Sequence, residues 1–146
     1  YSTAGDYLRF IRFILGRGAL DGVRLLKPET VDDMGRNHIG AIPAGVLRTA
    51  NPEMSFDADL FPGMSCGWGL SFLINPSDLP GRRAAGSLTW AGLRNSYFWI
   101  DPRSGIGGVL VTQILPFADP QTLAVYEAFE REIYRNASAQ NRGLKQ

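Results

Sequence analysis

The sequence predicts an α+β fold: an antiparallel sheet flanked by an N-terminal and a C-terminal helix. Three observations lead there. Apolar residues recur at helical spacing between Tyr7 and Ile14, β-type runs and turn signals fill the stretch from Trp68 to Leu115, and a second helical stripe follows Pro120. The composition is that of a globular domain, with 45% of the 146 residues apolar and 20% charged. A chain of this length can bury roughly two thirds of its unfolded surface, so a sizeable core is possible. There is no internal repeat, low-complexity tract or linker, and residues 1–146 are expected to form one domain.

Taken in order, Thr3 followed by Asp6 resembles a capping box, and Tyr7, Phe10, Ile11 and Ile14 form one face of a helix over residues 4–15. Gly16 to Gly18 end it. Asp21-Gly22 is a strong hairpin signal between two very short strands, at 19–20 and 23–26. Pro28 suits a first helical position, so a short helix is expected from Pro28 to about Arg36. From Asn37 to Pro62 no periodicity survives. A stretch that long without structure inside a compact domain reads as a lid or binding loop, or as a segment whose surroundings lie elsewhere. Trp68, Leu70, Phe72 and Ile74 then alternate as one strand, followed by strands at 86–90, 96–100 and 106–115. Asp119 and Pro120 launch a final helix with Leu123, Tyr126, Phe129 and Ile133 on one face, and its polar tail from Ser138 to Gln146 is expected to fray.

Charge and special residues exclude several functions. A formal net charge of +1, with both signs scattered, gathers neither phosphates nor anionic lipid, and nucleic acid is not an expected partner. Thirteen of the fifteen basic residues are Arg, leaving Lys27 and Lys145 as the lysines. The single cysteine, Cys66, rules out an internal disulfide framework and a cysteine-based zinc site. His38 has no second histidine or cysteine pair, so neither a metal nor another cofactor is expected. No run approaches the eighteen or so apolar residues of a membrane span. The chain opens on Tyr1-Ser2-Thr3 without an initiator Met, and the true N-terminus is expected upstream.

Two short motifs match by letters. Gly63-Met64-Ser65-Cys66-Gly67 has the nucleophile-elbow spacing, but a strand rather than a helix follows it, and His38 lies on the wrong side of it. Tyr134-Arg135-Asn136 falls in the last helix, where an amphipathic position explains it. The stretch from Gly86 to Pro102 is more distinctive. A large aromatic followed by Ala91-Gly92 implies close approach of something to the backbone, although composition alone favours Trp90 and Trp99 as ordinary core or sheet-face aromatics.

Resemblance adds to this. Tyr1 to Tyr7, Gly18 to Gly22, Leu25 to Val31, Gly67 to Leu70, Trp90 to Gly92, Tyr97 to Pro102 and Thr112-Gln113 follow, in order, the C-terminal portion of β-lactamase-related serine hydrolases. The likeness is greatest to the family VIII carboxylesterases and spans nearly the whole chain. It implies a partial domain of the β-lactamase/transpeptidase-like fold.

It also implies three catalytic elements, of which one is here. No Ser has Lys three residues on, so the nucleophile with its base, and the Tyr-x-Asn or Tyr-x-Ser group, would lie in chain outside these residues. The third element falls on Trp90-Ala91-Gly92. The resemblance makes the backbone N–H of Leu93 an oxyanion donor beside Gly92, with Trp90, Ala91 and Asn95 at the substrate. Trp and Ala replace the Lys and hydroxyl of penicillin-recognising relatives, which favours esters over β-lactams. The implied partners are a small-molecule ester or amide substrate, and either the preceding part of the same protein or another copy of the chain. A non-catalytic binding module built on the same fold is the alternative.

Overall fold

The computed structural model describes residues 2–143. Helix α1 (Ala4–Leu15) begins where Thr3 Oγ1 accepts the Asp6 N–H at 3.1 Å, and it buries Ile11 and Ile14. Its apolar spacing and its cap agree, so local sequence alone is enough to set it. Strands β1 (Ala19–Leu20) and β2 (Val23–Arg24) turn through Asp21 and Gly22, both with positive φ (49° and 82°), as a two-residue hairpin requires. Helix α2 (Pro28–Met34) stops short of Arg36, at Gly35.

The main sheet is antiparallel, in the order β3 (Gly67–Trp68), β4 (Leu73–Ile74), β5 (Leu88–Gly92), β6 (Ser96–Asp101) and β7 (Ile106–Leu110). The single strand expected from Trp68 to Ile74 is instead a hairpin, β3 pairing with β4. The cause is tertiary. The Met34 carbonyl at the end of α2 accepts the Leu70 N–H at 2.9 Å, and a Cβ on Gly69 would lie 2.2 Å from that same oxygen. The chain turns there, with Ser71 at φ 80° and Gly69 N–H donating to Phe72 O at 2.8 Å. Strand β7 likewise ends at Leu110 rather than Leu115, before the cis Leu115–Pro116 bond.

Period-two alternation sends β6 to two cores. Phe98 and Ile100 join Leu88, Phe72, Ile11 and Ile14 beneath α1, while Tyr97 and Trp99 meet Tyr126 of helix α3 (Pro120–Gly143) on the opposite face. The layers are therefore helix, sheet, helix. Asp119 caps α3, its Oδ1 accepting the Thr122 N–H at 2.7 Å. Helix α3 continues through most of the tail expected to fray, and residues 144–146 lie outside the described residues. At the far side of the sheet β7 is an edge strand, and Val111 just beyond it is 48% exposed.

Helix α3 also carries a buried charge. Glu130 is 0% exposed and accepts from Arg83 Nε and Nη2, both at 2.8 Å, and from the Arg83 N–H at 3.1 Å. Arg82 adds a further hydrogen bond at 2.9 Å. The Arg83 guanidinium, itself 1% exposed, lies 5.6–5.7 Å from the ring centroids of Phe61, Trp99 and Tyr126. Burial alone would raise the Glu130 pKa, but hydrogen bonds and charge from Arg83 and Arg82 outweigh it and hold the carboxyl below its ordinary range.

Removing one partner of such a pair leaves an uncompensated buried charge, so Glu130→Ala should cost about 3–5 kcal/mol in chemical denaturation, against near-neutrality for the apolar pair Arg83→Met with Glu130→Leu. A loss under about 1 kcal/mol in the single variant would show that the pair does not hold α3. Because the folded pKa is depressed, the unfolded chain takes up the proton first as pH falls. The contribution is full above about pH 4.3, the ordinary Glu value, and is lost as pH drops through the lower folded value. Glu130→Gln should therefore flatten the acid limb of a stability–pH curve.

Candidate functional site

Strand β5 pairs with β6 along its whole length, from Leu88↔Ile100 to Gly92↔Ser96. On its other side, β4 reaches only Leu88 and Thr89. Trp90, Ala91 and Gly92 therefore present a bare strand edge. It is bare because β4 begins only at Leu73: the antiparallel register would set Phe72, Ser71 and Leu70 opposite these residues, and the chain turns there instead, with the Leu70 N–H bonded to Met34 O.

The turn from β5 to β6 has three residues, Leu93, Arg94 and Asn95, with Asn95 at φ 59°. A left-handed third residue is the mark of a common three-residue hairpin connection. Leu93 lies at its first corner, 51% exposed, and among the described residues its N–H donates to no backbone acceptor. Asn95 does not have the role expected of it at the substrate. It is 0% exposed, its Nδ2 donates to Ile114 O (3.0 Å) and Pro116 O (2.7 Å), and its Oδ1 accepts from Tyr97 Oη (2.7 Å) and Asp119 N (3.1 Å). With every polar atom spent, it ties the hairpin to the start of α3 and has nothing left for a ligand.

Gly92 differs from the glycines that the fold needs. A Cβ there would meet Ser96 no closer than 3.8 Å, whereas one on Gly108 would lie 2.2 Å from the Trp99 indole. The fold itself does not ask for glycine at position 92. What the missing side chain leaves open is access to the backbone at the bare edge.

Two apolar clefts meet at Trp90. One, of about 280 Å³, lies on the α1 face against Tyr7, Phe98, Val109 and Gly92. The other, about 240 Å³, lies between the strand and the 37–62 loop, against Leu47, Ala58, Leu60, Trp68 and Phe117. Trp68 and Trp90 pack edge to face with centroids 4.5 Å apart. Sequence reading missed the second cleft because the loop has no periodicity. It is nonetheless held: Leu47 and Ala58 exchange backbone hydrogen bonds, Phe56 N–H donates to Phe117 O at 2.9 Å, and Arg48 pairs with Asp57 at 2.6 Å.

The remaining motif residues have structural surroundings. Ser65 and Cys66 lead into strand β3, not a helix, and burial pushes the Cys66 thiol up to about 11. Tyr134 Oη donates to Asp101 Oδ2 at 2.8 Å from within α3, and burial raises its pKa. His38 Nε2 lies 2.8 Å from the Asp33 carbonyl, while its backbone N–H donates to Trp68 O.

Comparison with known proteins gives this edge its context. The family described as Beta-lactamase matches residues 1–131. The chain belongs to the beta-lactamase family. Within it, this beta-lactamase-family chain is 31% identical over 145 residues to a lovastatin esterase of Penicillium rubens, covering 95% of its own length and 35% of the relative's. It is 29% identical over 139 residues to a monacolin J acid methylbutanoyltransferase of Aspergillus terreus, covering 92% and 33%. Among solved structures, a simvastatin synthase variant from Aspergillus terreus superposes with a TM-score of 0.72 at 26% identity, over 94% of this chain and 35% of that one. A penicillin-binding protein homologue from Caulobacter crescentus shares the fold, with a TM-score of 0.55 at 19% identity over 84% and 29%. The beta-lactamase/transpeptidase-like α+β fold is thus shown, and the chain spans about a third of the length of these relatives. No helix among the described residues is long and apolar enough to cross a membrane.

The glycine contrast is testable. Gly92→Ala should shift the unfolding free energy by less than about 1 kcal/mol, while Gly108→Ala should cost about 1–3 kcal/mol through overpacking against Trp99. Equal losses in thermal or chemical denaturation would mean that Gly92 serves the fold after all.

Proposed function

We propose that this chain is the C-terminal segment of a serine hydrolase that cleaves carboxylic esters through an acyl-serine intermediate, and that it supplies one wall of the site. The observation that carries the reading is the bare β5 edge, where Gly92 and the free Leu93 N–H stand side by side with no partner strand. The nucleophilic Ser-x-x-Lys comes from chain outside these residues, because no Ser here has Lys three residues on, and so does the Tyr-x-Asn or Tyr-x-Ser group, because Tyr134-Arg135-Asn136 lies in α3 with the Tyr134 hydroxyl bonded to Asp101.

In this reading the serine hydroxyl attacks the ester carbonyl and passes its proton to the lysine amine. Negative charge develops on the carbonyl oxygen, and the Leu93 amide stabilises it. The alcohol leaves with a proton, and water then attacks the acyl-serine to release the acid. Trp90 walls the substrate and Ala91 keeps the edge low, without the cation that would select a carboxylate-bearing β-lactam. Relatives named as an esterase and a methylbutanoyltransferase support the class, since transfer to an alcohol uses the same intermediate.

The test compares the 146-residue chain with the full-length protein, each given p-nitrophenyl butyrate with and without a serine-reactive phosphonate. The full-length protein should turn over and be labelled, and the 146-residue chain should do neither. Turnover by the short chain would sink the two-part reading, and an inert full-length protein would favour a binding module. Leu93→Pro removes the N–H at a corner where a type I turn favours Pro, so kcat in the full-length protein should fall about 10²–10³-fold with stability nearly unchanged.

A further inference from the structure

The cleft between β5 and the 37–62 loop is lined largely by carbon and is partly open to solvent. Its walls are two indoles, Phe117, Leu47 and Leu60, and no charged side chain lines it. Three small residues, Ala44, Gly45 and Ala58, line it on the loop side. A Cβ placed on Gly45 meets no atom within 4 Å, and its φ lies outside the left-handed region, so neither crowding nor backbone strain requires glycine there. The loop is pinned across this opening by paired backbone bonds between Leu47 and Ala58, which holds the walls apart. Trp90 lines both this cleft and the one on the α1 face, and the latter is bordered by Ser2, Thr3 and Ser96 as well as by apolar groups.

An apolar cleft beside a backbone edge suits a neutral hydrocarbon, not a charged or hydroxylated group. At about 240 Å³ it falls below the roughly 300–1,000 Å³ of pockets that take drug-sized ligands, which matches a chain of about four to eight carbons. We infer that the compartment under the 44–60 loop is an aliphatic-chain subsite, holding the apolar half of an ester whose carbonyl lies at the Gly92–Leu93 edge. The inference rests on the ester-cleaving reading above, but occupancy of the subsite needs no turnover. Leu47 and Gly45 set its depth and width, and the more polar α1-face cleft takes the other half of the substrate.

Bromine quenches tryptophan on contact, and Trp68 and Trp90 line the cleft. The full-length protein is mixed with methyl 6-bromohexanoate, which carries the chain in its acyl half, or with 6-bromohexyl acetate, which carries it in its alcohol half. Emission is read in a stopped-flow instrument before turnover. Saturable quenching is expected, tighter by about threefold to fourfold per methylene until the pocket is full, and the tighter of the two esters assigns the half that enters. Gly45→Leu, at a lining position where a Cβ meets no atom within 4 Å, should weaken binding at least fivefold. Leu47→Ala should move the preferred chain to a longer homologue, and Trp68→Phe should remove part of the quenched emission. Absence of saturable quenching, or quenching that Gly45→Leu and Leu47→Ala leave unchanged, overturns the subsite. Quenching that responds to both variants in a protein that never hydrolyses these esters keeps the subsite and discards the hydrolase reading.

Discussion

The geometry of the β5 edge depends on one buried ion pair. Arg83, in the connection between β4 and β5, grips Glu130 on α3 with two side-chain hydrogen bonds at 2.8 Å and also donates to Tyr126 Oη at 2.7 Å. Tyr126 in turn stacks on Tyr97 of β6, with centroids 5.0 Å apart, and the pair thereby fixes α3 against the sheet and fixes the entry to β5. Placing two charges where neither touches water is costly unless the geometry is good, and here the two carboxylate oxygens receive bonds from Arg83 and Arg82 while three aromatic rings surround the guanidinium. Such a pair specifies one arrangement more than it adds stability. A seating of α3 that kept either residue buried without the other would leave an uncompensated charge.

That arrangement has a consequence at the opposite end of β5. The start of the strand is clamped through Arg83, and its end is clamped through Asn95, whose amide joins the β5–β6 turn to Ile114, Pro116 and Asp119. Between the clamps, Trp90 to Gly92 need no partner strand to stay in place. An edge left open is normally a liability, and here rigidity on one side and the 37–62 loop on the other keep it short and partly covered. A fixed edge with a free amide is what electrostatic stabilisation of a developing oxyanion calls for, since donors that do not move cost no reorganisation. Two apolar clefts meet at Trp90 beside that edge.

The sequence made the local features legible. Helix α1 was readable to the residue because its cap and its apolar face lie in the same short segment, and the Asp21-Gly22 hairpin because the turn chemistry is explicit. The α+β class and the strand bearing Trp90 followed in the same way. What escaped was set by distant partners. Alternation from Trp68 to Ile74 suggested one strand, and only the Met34 carbonyl, more than thirty residues earlier, explains the break. Glu130 falls on the same helical stripe as Leu123, Tyr126 and Ile133, and nothing local names Arg83, 47 positions away, as the partner that lets a carboxylate sit there. Asn95 stood beside the site motif and so looked like a ligand contact, yet its partners are carbonyls from 19 and 21 residues downstream. For the loop cleft the signal was the loss of periodicity from Asn37 to Pro62, which reads as a lid or binding loop, or as a segment whose surroundings lie elsewhere, and does not locate the cleft.

The proposed role of the β5 edge requires the Leu93 amide to face the reacting oxygen. The most direct measurement is the proton–nitrogen NMR signal of Leu93 in full-length protein labelled with ¹⁵N-leucine, before and after phosphonylation of the nucleophile, which places a phosphonyl oxygen where the oxyanion forms. A downfield shift of the Leu93 amide proton together with slower exchange with solvent is predicted. A Leu93 signal that stays where it was in fully phosphonylated protein would contradict the account.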